Sequence, residues 1–291
     1  MSLVDLQRTI IDWYAGAQRD LPWRRADCSP WGIFVSEVML QQTPVVRVEP
    51  VWHEWMSRWP TPTALAASPS GEAVRAWGRL GYPRRALRLH GAATAMVDRH
   101  DGEVPSNLEE LQALPGVGTY TAAAVAAFAF GARVPVVDTN VRRVHARAVT
   151  GVEHAAPSLS RAESDLAAEL LPTDPDAARV WNVAVMELGA LICTARGPRC
   201  DECPVRETCA WVRAGRPAYD GPPRRGQAWA GTDRQVRGRL LQLLRDSADP
   251  VPREQLEQVW DDELQRERCL DGLVSDGLVE PLQDNRFRLP G

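Results

Sequence analysis

The chain of 291 residues contains no lysine; all 34 of its basic side chains are arginine. No side-chain amine is present to form a Schiff base, which excludes lysine-dependent covalent catalysis. Long apolar runs are also missing. The longest, around "TAAAVAAFAFGA", is too short and too rich in alanine to span a bilayer, and no secretory leader is visible. Strand-like alternation is scarce before residue 212, and the five histidines show no metal-ligand spacing. The remaining composition, 44% hydrophobic and 25% charged, is that of an ordinary globular protein. The length suits about two domains, and a cytosolic location with no membrane partner is expected.

Most of residues 1–212 read as helix. Apolar spacing is helical in 51–58, 73–80, 84–97, 107–114, 119–130, 141–149 and 179–192, and the first twenty residues form an amphipathic pattern. Residues 213–233 are rich in Gly and Pro and read as a linker. Beyond them, helices are expected at 234–246, 252–260 and 263–275. A hairpin turning at Asp284–Asn285 should follow, making a winged-helix-like unit over 234–291. Such units bind DNA or other proteins. The net charge of −4 argues weakly against a nucleic-acid partner. The arginines cluster, however, at 23–25, 82–88, 140–147 and 222–225, and guanidinium forks suit phosphate oxygens.

Four constellations carry chemistry. Cys193, Cys200, Cys203 and Cys209 are separated by six, two and five residues, and Pro204 follows the third. A structural zinc site usually pairs two short knuckles across a longer gap. Only one knuckle is present here, so the spacing favours a [4Fe–4S] cluster over zinc. In "LEELQALPGVGTYTAAAVAAFAF" (108–130), the turn through Gly116, Val117 and Gly118 joins two helices. Its glycines permit close backbone approach, and the N–H groups opening the second helix can hold a phosphate. In "WGIFVSEVMLQQTP" (31–44), Glu37 has apolar neighbours on every side, which favour a protonated carboxyl able to act as a general acid. In "RVPVVDTNVRRVHARAV" (133–149), Asp138 stands where it can cap a helix, and the helix dipole favours its ionised form. One protonated acid and one carboxylate are the arrangement for cleaving a glycosidic bond through an oxocarbenium-like transition state. With a phosphate-binding hairpin nearby, the glycoside would be a nucleotide flipped out of DNA.

"SEVMLQQT", "LGY", "LPGVGTYTA", "VDTNVRRV" and "MELGALIC" before the cysteine loop resemble the helix-hairpin-helix base-excision glycosylases, and among them the MutY-type adenine DNA glycosylases. The resemblance covers about residues 1–212. It implies a mostly α, two-lobed fold: a six-helix barrel over 22–133, and a [4Fe–4S] cluster lobe from 1–21 and 134–212. By the family pattern, Glu37 protonates adenine and Asp138 stabilises the oxocarbenium ion, with Tyr120 and Asn140 positioning water, sugar and Asp138. Gln42, Thr43, Leu80 and Tyr82 resemble the wedge that fills the stack beside the opposite base, and Trp23 and Arg24 match the adenine pocket. Arg142, Arg196 and Arg199 are expected on the DNA backbone. The expected partner is double-stranded DNA with adenine opposite 8-oxoguanine or guanine, bound by a monomer in the nucleoid. Other readings are a same-fold glycosylase for another base, such as thymine opposite guanine, and a non-catalytic cluster-bearing DNA-binding protein.

Three departures stand out. Residues 234–291 are too few for the family's usual Nudix-like domain, and no Phe-Ser-His occurs. Val183 follows Asn182 where relatives often carry Gln or Glu, and Pro83 follows Tyr82 in place of a second aromatic. Bifunctional relatives carry a lysine at the Tyr120 position. Incubation with an adenine-mismatch duplex should therefore leave an abasic site in an intact strand until alkali or heat is applied. Efficient strand cleavage before that treatment would contradict a monofunctional reaction.

Overall fold

The computed structural model describes residues 2–221 and 229–291. The arginine cluster at 222–225 and part of the expected linker lie outside the described residues. The helices are α1 (Leu3–Ala17), α2 (Pro30–Leu40), α3 (Val45–Arg58), α4 (Pro62–Ala66), α5 (Ser70–Ala76), α6 (Arg84–Arg99), α7 (Leu108–Gln112) and α8 (Thr119–Phe130). They continue with α9 (Thr139–His145), α10 (Arg161–Glu169), α11 (Pro175–Leu191), α12 (Ala210–Arg213), α13 (Asp233–Asp246), α14 (Arg253–Glu257) and α15 (Glu263–Ser275). Strands β1 (Val251–Pro252), β2 (Glu280–Pro281) and β3 (Arg286–Arg288) follow, and short 3-10 turns lie at Pro22–Arg24, Cys200–Glu202 and Arg206–Thr208. None of these helices is long and apolar enough to cross a membrane.

Two compact units result. The first takes the described residues of 1–30, 106–112 and 118–223; the second takes 31–105, 113–117 and 224–291. The first unit buries Ile10 and Tyr14 of α1 against Val141 and Val144 of α9 and against Trp181, Val185 and Leu188 of α11. Several of its helices begin on side-chain caps. Ser2 and Asp5 form a capping box on α1, Ser160 and Glu163 do so on α10, and Asp174 caps α11 ahead of Pro175. Between α9 and α11 the approach is unusually close: a Cβ on Gly189 would lie 2.6 Å from the Asn140 Cβ and 3.0 Å from its carbonyl oxygen. Helix α9 then passes into one π-helical turn, 146–150.

In the second unit α2 is buried all round, from Trp31 to Met39. This is why no amphipathic stripe marks it in the sequence. An indole cluster surrounds it. Trp55 meets Trp59 and Trp77 edge-on at 4.9 and 5.6 Å between ring centroids, and the Trp52 and Trp31 indoles donate to the Gly32 and Trp59 carbonyls. The C-terminal part has three helices and an antiparallel sheet ordered β1-β3-β2. The hairpin pairs Glu280 with Arg288 and turns through Asn285, whose φ is +59°. The helix expected from residue 252 is shorter than read. Val251 pairs with Phe287 instead, because an extended stretch ahead of Arg253 completes the sheet before α14 begins.

A backbone-to-backbone contact cannot relax around an added methyl. Gly189→Ala should therefore cost about 2 kcal/mol. Gly238, inside α13, is the control, because nothing lies within 4 Å of the point where its Cβ would stand. Gly238→Ala should gain about 0.5–1 kcal/mol from helix propensity. Equal effects in thermal melts would contradict the close approach.

Candidate active site

Asp138 caps α9 as expected, in extended conformation. One carboxylate oxygen accepts from the Val141 N–H at 2.7 Å, and the other accepts from Asn140 Nδ2 at 2.8 Å. The Asn140 amide oxygen accepts in turn from Arg143 Nη2 at 2.6 Å. The same guanidinium donates to the carbonyls of Gly189 at 2.7 Å and Cys193 at 2.6 Å. A continuous chain of hydrogen bonds thus joins the carboxylate to the main chain of the first loop cysteine. The expectation of a readily ionised cap needs correction. Burial dominates and pushes the Asp138 pKa up, against the donors from Val141 and Asn140 and the Arg143 charge, which pull it down. Tyr120, near the start of α8, is half-buried and packs beside Val136 with Phe128, Val134 and Met186.

A second carboxylate in this unit escaped the sequence reading. Glu187 of α11 is wholly buried. It accepts from the Arg19 main-chain N–H, from Arg19 Nε at 2.8 Å and Nη2 at 2.7 Å, and from Arg24 Nη2 at 2.9 Å. Burial alone would raise its pKa, but the two arginines overturn that and bring it to about 2. Arg24 is thereby fixed beside buried Trp23, and its Nη1 is buried without a hydrogen-bond partner.

The four cysteines of the loop line one cavity together with Arg147, Ile192 and Trp211. None forms a disulfide, and among the described residues no three potential ligands converge on a single-ion site. Arg147 is 1% exposed. It stacks over Trp211, donates to the Thr194 carbonyl at 2.7 Å and reaches Cys193 Sγ at 3.5 Å. Burial pushes the Cys193 thiol up, with Arg147 pulling it down, and raises Cys203 to about 11. A bound cation and Arg147 would both favour the thiolates.

The arginines expected on DNA divide. Arg196 is exposed. Arg199, also exposed, donates to the Leu191 carbonyl at the end of α11 and pairs with Glu202 at 3.0 Å. Arg142 is turned inward: its side chain is 11% exposed and binds Glu163 and the carbonyls of Ala156 and Ser158. The cluster spacing gave no sign of these internal partners.

In the second unit Glu37 lies on α2 with 5% exposure, amid Phe34, Val35, Val38 and Met39. The residues read as a wedge are brought together there by Arg85. Its Nη1 donates to the carbonyls of Val38, Met39 and Gln41, and its Nη2 to Thr43 Oγ1 and the Gly81 carbonyl, all between 2.6 and 3.0 Å. The Thr43 hydroxyl donates to the Leu80 carbonyl at 3.2 Å. Leu80 is buried, while Gln42 and Tyr82 are exposed with φ of +55° and +48°. Gly116 (φ +75°) lies against Arg88, where any Cβ would clash at 2.6 Å, and both hairpin glycines are exposed. Arg85 sat within a basic cluster assigned to phosphate. Four of its five acceptors lie at the end of α2 and in the loop after it, more than forty residues away, so no local pattern could reveal them.

The sequence profile of the HhH-GPD superfamily of base excision DNA repair proteins matches residues 35–167. The chain is 55% identical over 284 residues to the adenine DNA glycosylase of Mycobacterium tuberculosis, covering 97% of this chain and 92% of that protein. It is 56% identical over 283 residues to that of Mycolicibacterium smegmatis, covering 97% and 95%. Among solved structures, a thermostable thymine-DNA glycosylase matches with a TM-score of 0.66 at 28% identity, over 73% of this chain and 97% of that one.

The Glu187 network yields a pH test. A carboxylate whose folded pKa is depressed stabilises the protein above its ordinary value, and that contribution fades as pH falls through the folded value. Glu187→Gln should cost about 3 kcal/mol at neutral pH, because two arginines lose their counter-charge. The gap from the parent protein should narrow as pH drops from 4.5 toward about 2. A gap independent of pH would show that the charge pairing is not what stabilises this site.

Proposed function

The chain belongs to the HhH-GPD superfamily of base excision DNA repair proteins, and on that basis we propose that it removes adenine mispaired with 8-oxoguanine or guanine in duplex DNA. The observation that carries adenine as the base is the near full-length identity to two mycobacterial adenine DNA glycosylases. In this reading the protein acts as a monomer in the nucleoid. Residues 22–133 work as the barrel, 1–21 with 134–212 as the cluster lobe, and 234–291 as a C-terminal unit after the 213–233 linker.

The flipped nucleotide places its base against Trp23 and Arg24, whose buried, unpartnered Nη1 offers a donor for a ring nitrogen. Glu37 delivers a proton to the adenine ring, so that the base leaves neutral. Positive charge develops on the sugar beside Asp138. Burial makes the Asp138 carboxylate costly to ionise in the free protein, and a cation forming next to it relieves that cost. Asn140 and Tyr120 hold Asp138 and the water that completes hydrolysis at the anomeric carbon. The products are free adenine and an abasic site. The Gly116-Val117-Gly118 turn grips a phosphate, and Gln42, Thr43, Leu80 and Tyr82 fill the vacated stack. Exposed Arg196 meets the backbone, joined by Arg142 and Arg199 only where DNA displaces their internal partners.

Cys193, Cys200, Cys203 and Cys209 would hold a [4Fe–4S] cluster in the cavity they line. Its contribution there is to close the loop; hydrolysis of a glycosidic bond moves no electrons, and no step passes through it.

A substrate panel tests the proposal. Duplexes pairing A or T with G or 8-oxoguanine should show base release from the adenine strands alone, and Glu37→Gln should lose at least about a hundredfold in single-turnover rate while still binding DNA. Release of thymine opposite guanine at a comparable rate would favour a different base preference. Undiminished release by Glu37→Gln would remove the acid from this mechanism.

A further inference from the structure

The contacts of the C-terminal unit within the second unit fall on both sides of one loop. Upstream, α5 and α13 exchange arginines at their C-terminal ends. Arg75 Nη1 donates to the carbonyls of Leu244, Arg245 and Ser247, and Arg245 Nε returns a bond to the Val74 carbonyl at 2.9 Å. Each guanidinium satisfies carbonyls that a helix end leaves open and places positive charge at the negative pole of the other helix. One turn earlier, the Gly71 N–H donates to the Pro290 carbonyl at 2.8 Å. A Cβ on Gly71 would stand 2.3 Å from that oxygen. Downstream, Arg84 opens α6 and pairs at 3.2 Å with Asp276, which also holds Arg237. Gly277 lies against Leu87 of the same helix.

Between these anchors runs the 77–83 loop. Gly78, Gly81 and Tyr82 all have positive φ, at +53°, +84° and +48°. For tyrosine that conformation costs on the order of 1 kcal/mol and persists only where the surroundings enforce it. Yet Tyr82 is 52% exposed, and its ring is held on one side by the Arg85 guanidinium, 5.6 Å from the ring centroid. Meanwhile α15, which a winged helix would offer to DNA, has an acidic outer face. Glu263 and Asp271 are exposed on it, Asp261 and Asp262 are exposed just ahead of its first turn, and the exposed Arg268 pairs with Asp233 at 2.8 Å. Such a face repels phosphate.

We infer that residues 229–291 act as a positioning clamp that holds the Leu80–Tyr82 wedge in its strained, DNA-ready form, rather than as a second reader of DNA. The inference rests on reading Tyr82 as part of the wedge. It assigns discrimination at the opposite base partly to residues that never touch it: Gly71, Arg75, Asp276 and Pro290.

The test uses the full chain and duplexes carrying a non-cleavable 2′-fluoro-adenosine opposite guanine or opposite thymine. The ratio of the two affinities measures discrimination. Tyr82→Ala should lower that ratio about fivefold, and Gly71→Ala and Asp276→Asn should each lower it by a similar factor. Single-turnover excision at saturating enzyme should stay within about twofold for the two clamp variants, and combining either with Tyr82→Ala should add no further loss. Ratios unchanged by both clamp variants while Tyr82→Ala lowers it would overturn the clamp. So would losses that multiply in the double variants, because the unit would then act on DNA independently of the loop. An unchanged ratio in Tyr82→Ala alone would instead remove the wedge reading, and the clamp with it. Gly71→Ala breaks the docking by steric means and Asp276→Asn by charge, so a folding defect in one leaves the other decisive.

Discussion

The setting of Asp138 follows from how closely α9 lies on α11. Gly189 lets the backbone at Asn140 settle almost directly on the facing helix, and that approach brings Arg143 within reach of the Gly189 and Cys193 carbonyls. Arg143 fixes the Asn140 amide, Asn140 fixes one Asp138 oxygen, and the helix start fixes the other. Each rotamer in this series is set by the next. The carboxylate is thereby held in a dry setting that disfavours its charge. A wider helix contact would admit water and slacken every later link.

Arginine does the same job repeatedly across the chain. Arg85 gathers the open carbonyls at the end of α2, Arg75 and Arg245 trade caps between helices, and Arg147 fills the wall of the cysteine cavity. A guanidinium presents five donors in a fixed plane, so one side chain can satisfy carbonyls from several segments at once. An ammonium group cannot span acceptors arranged that way. The absence of lysine, first met as a limit on chemistry, is thus matched by a fold fastened through guanidinium-to-carbonyl bonds.

The sequence showed clearly whatever depends on short-range spacing. The hairpin turn, the N-cap role of Asp138, helices α8 and α15, and the tail hairpin are all local patterns, and the structure places them where the pattern says. Glu37 was legible because its neighbours in sequence are also its neighbours in the core. What stayed hidden was the pairing of distant groups: Glu187 with Arg19 and Arg24, Arg142 with Glu163, and Arg85 with two loops. A buried arginine and an exposed one look alike in a sequence. The direction of the Asp138 pKa shift was misread for a related reason: helix position can be read from local sequence, but burial by distant segments cannot.

The first unit is built from three separate stretches of chain, with α1 packed on α11. At ordinary elongation rates the ribosome needs on the order of ten seconds to travel from the end of α1 to the start of α11. Throughout that interval α1 has emerged with Ile10 and Tyr14 but lacks the surface that will cover them, while α2 to α6 of the other unit are already complete. The first unit therefore cannot close before α11 has emerged. The four loop cysteines follow α11 in the chain, so they emerge only after that wait is over.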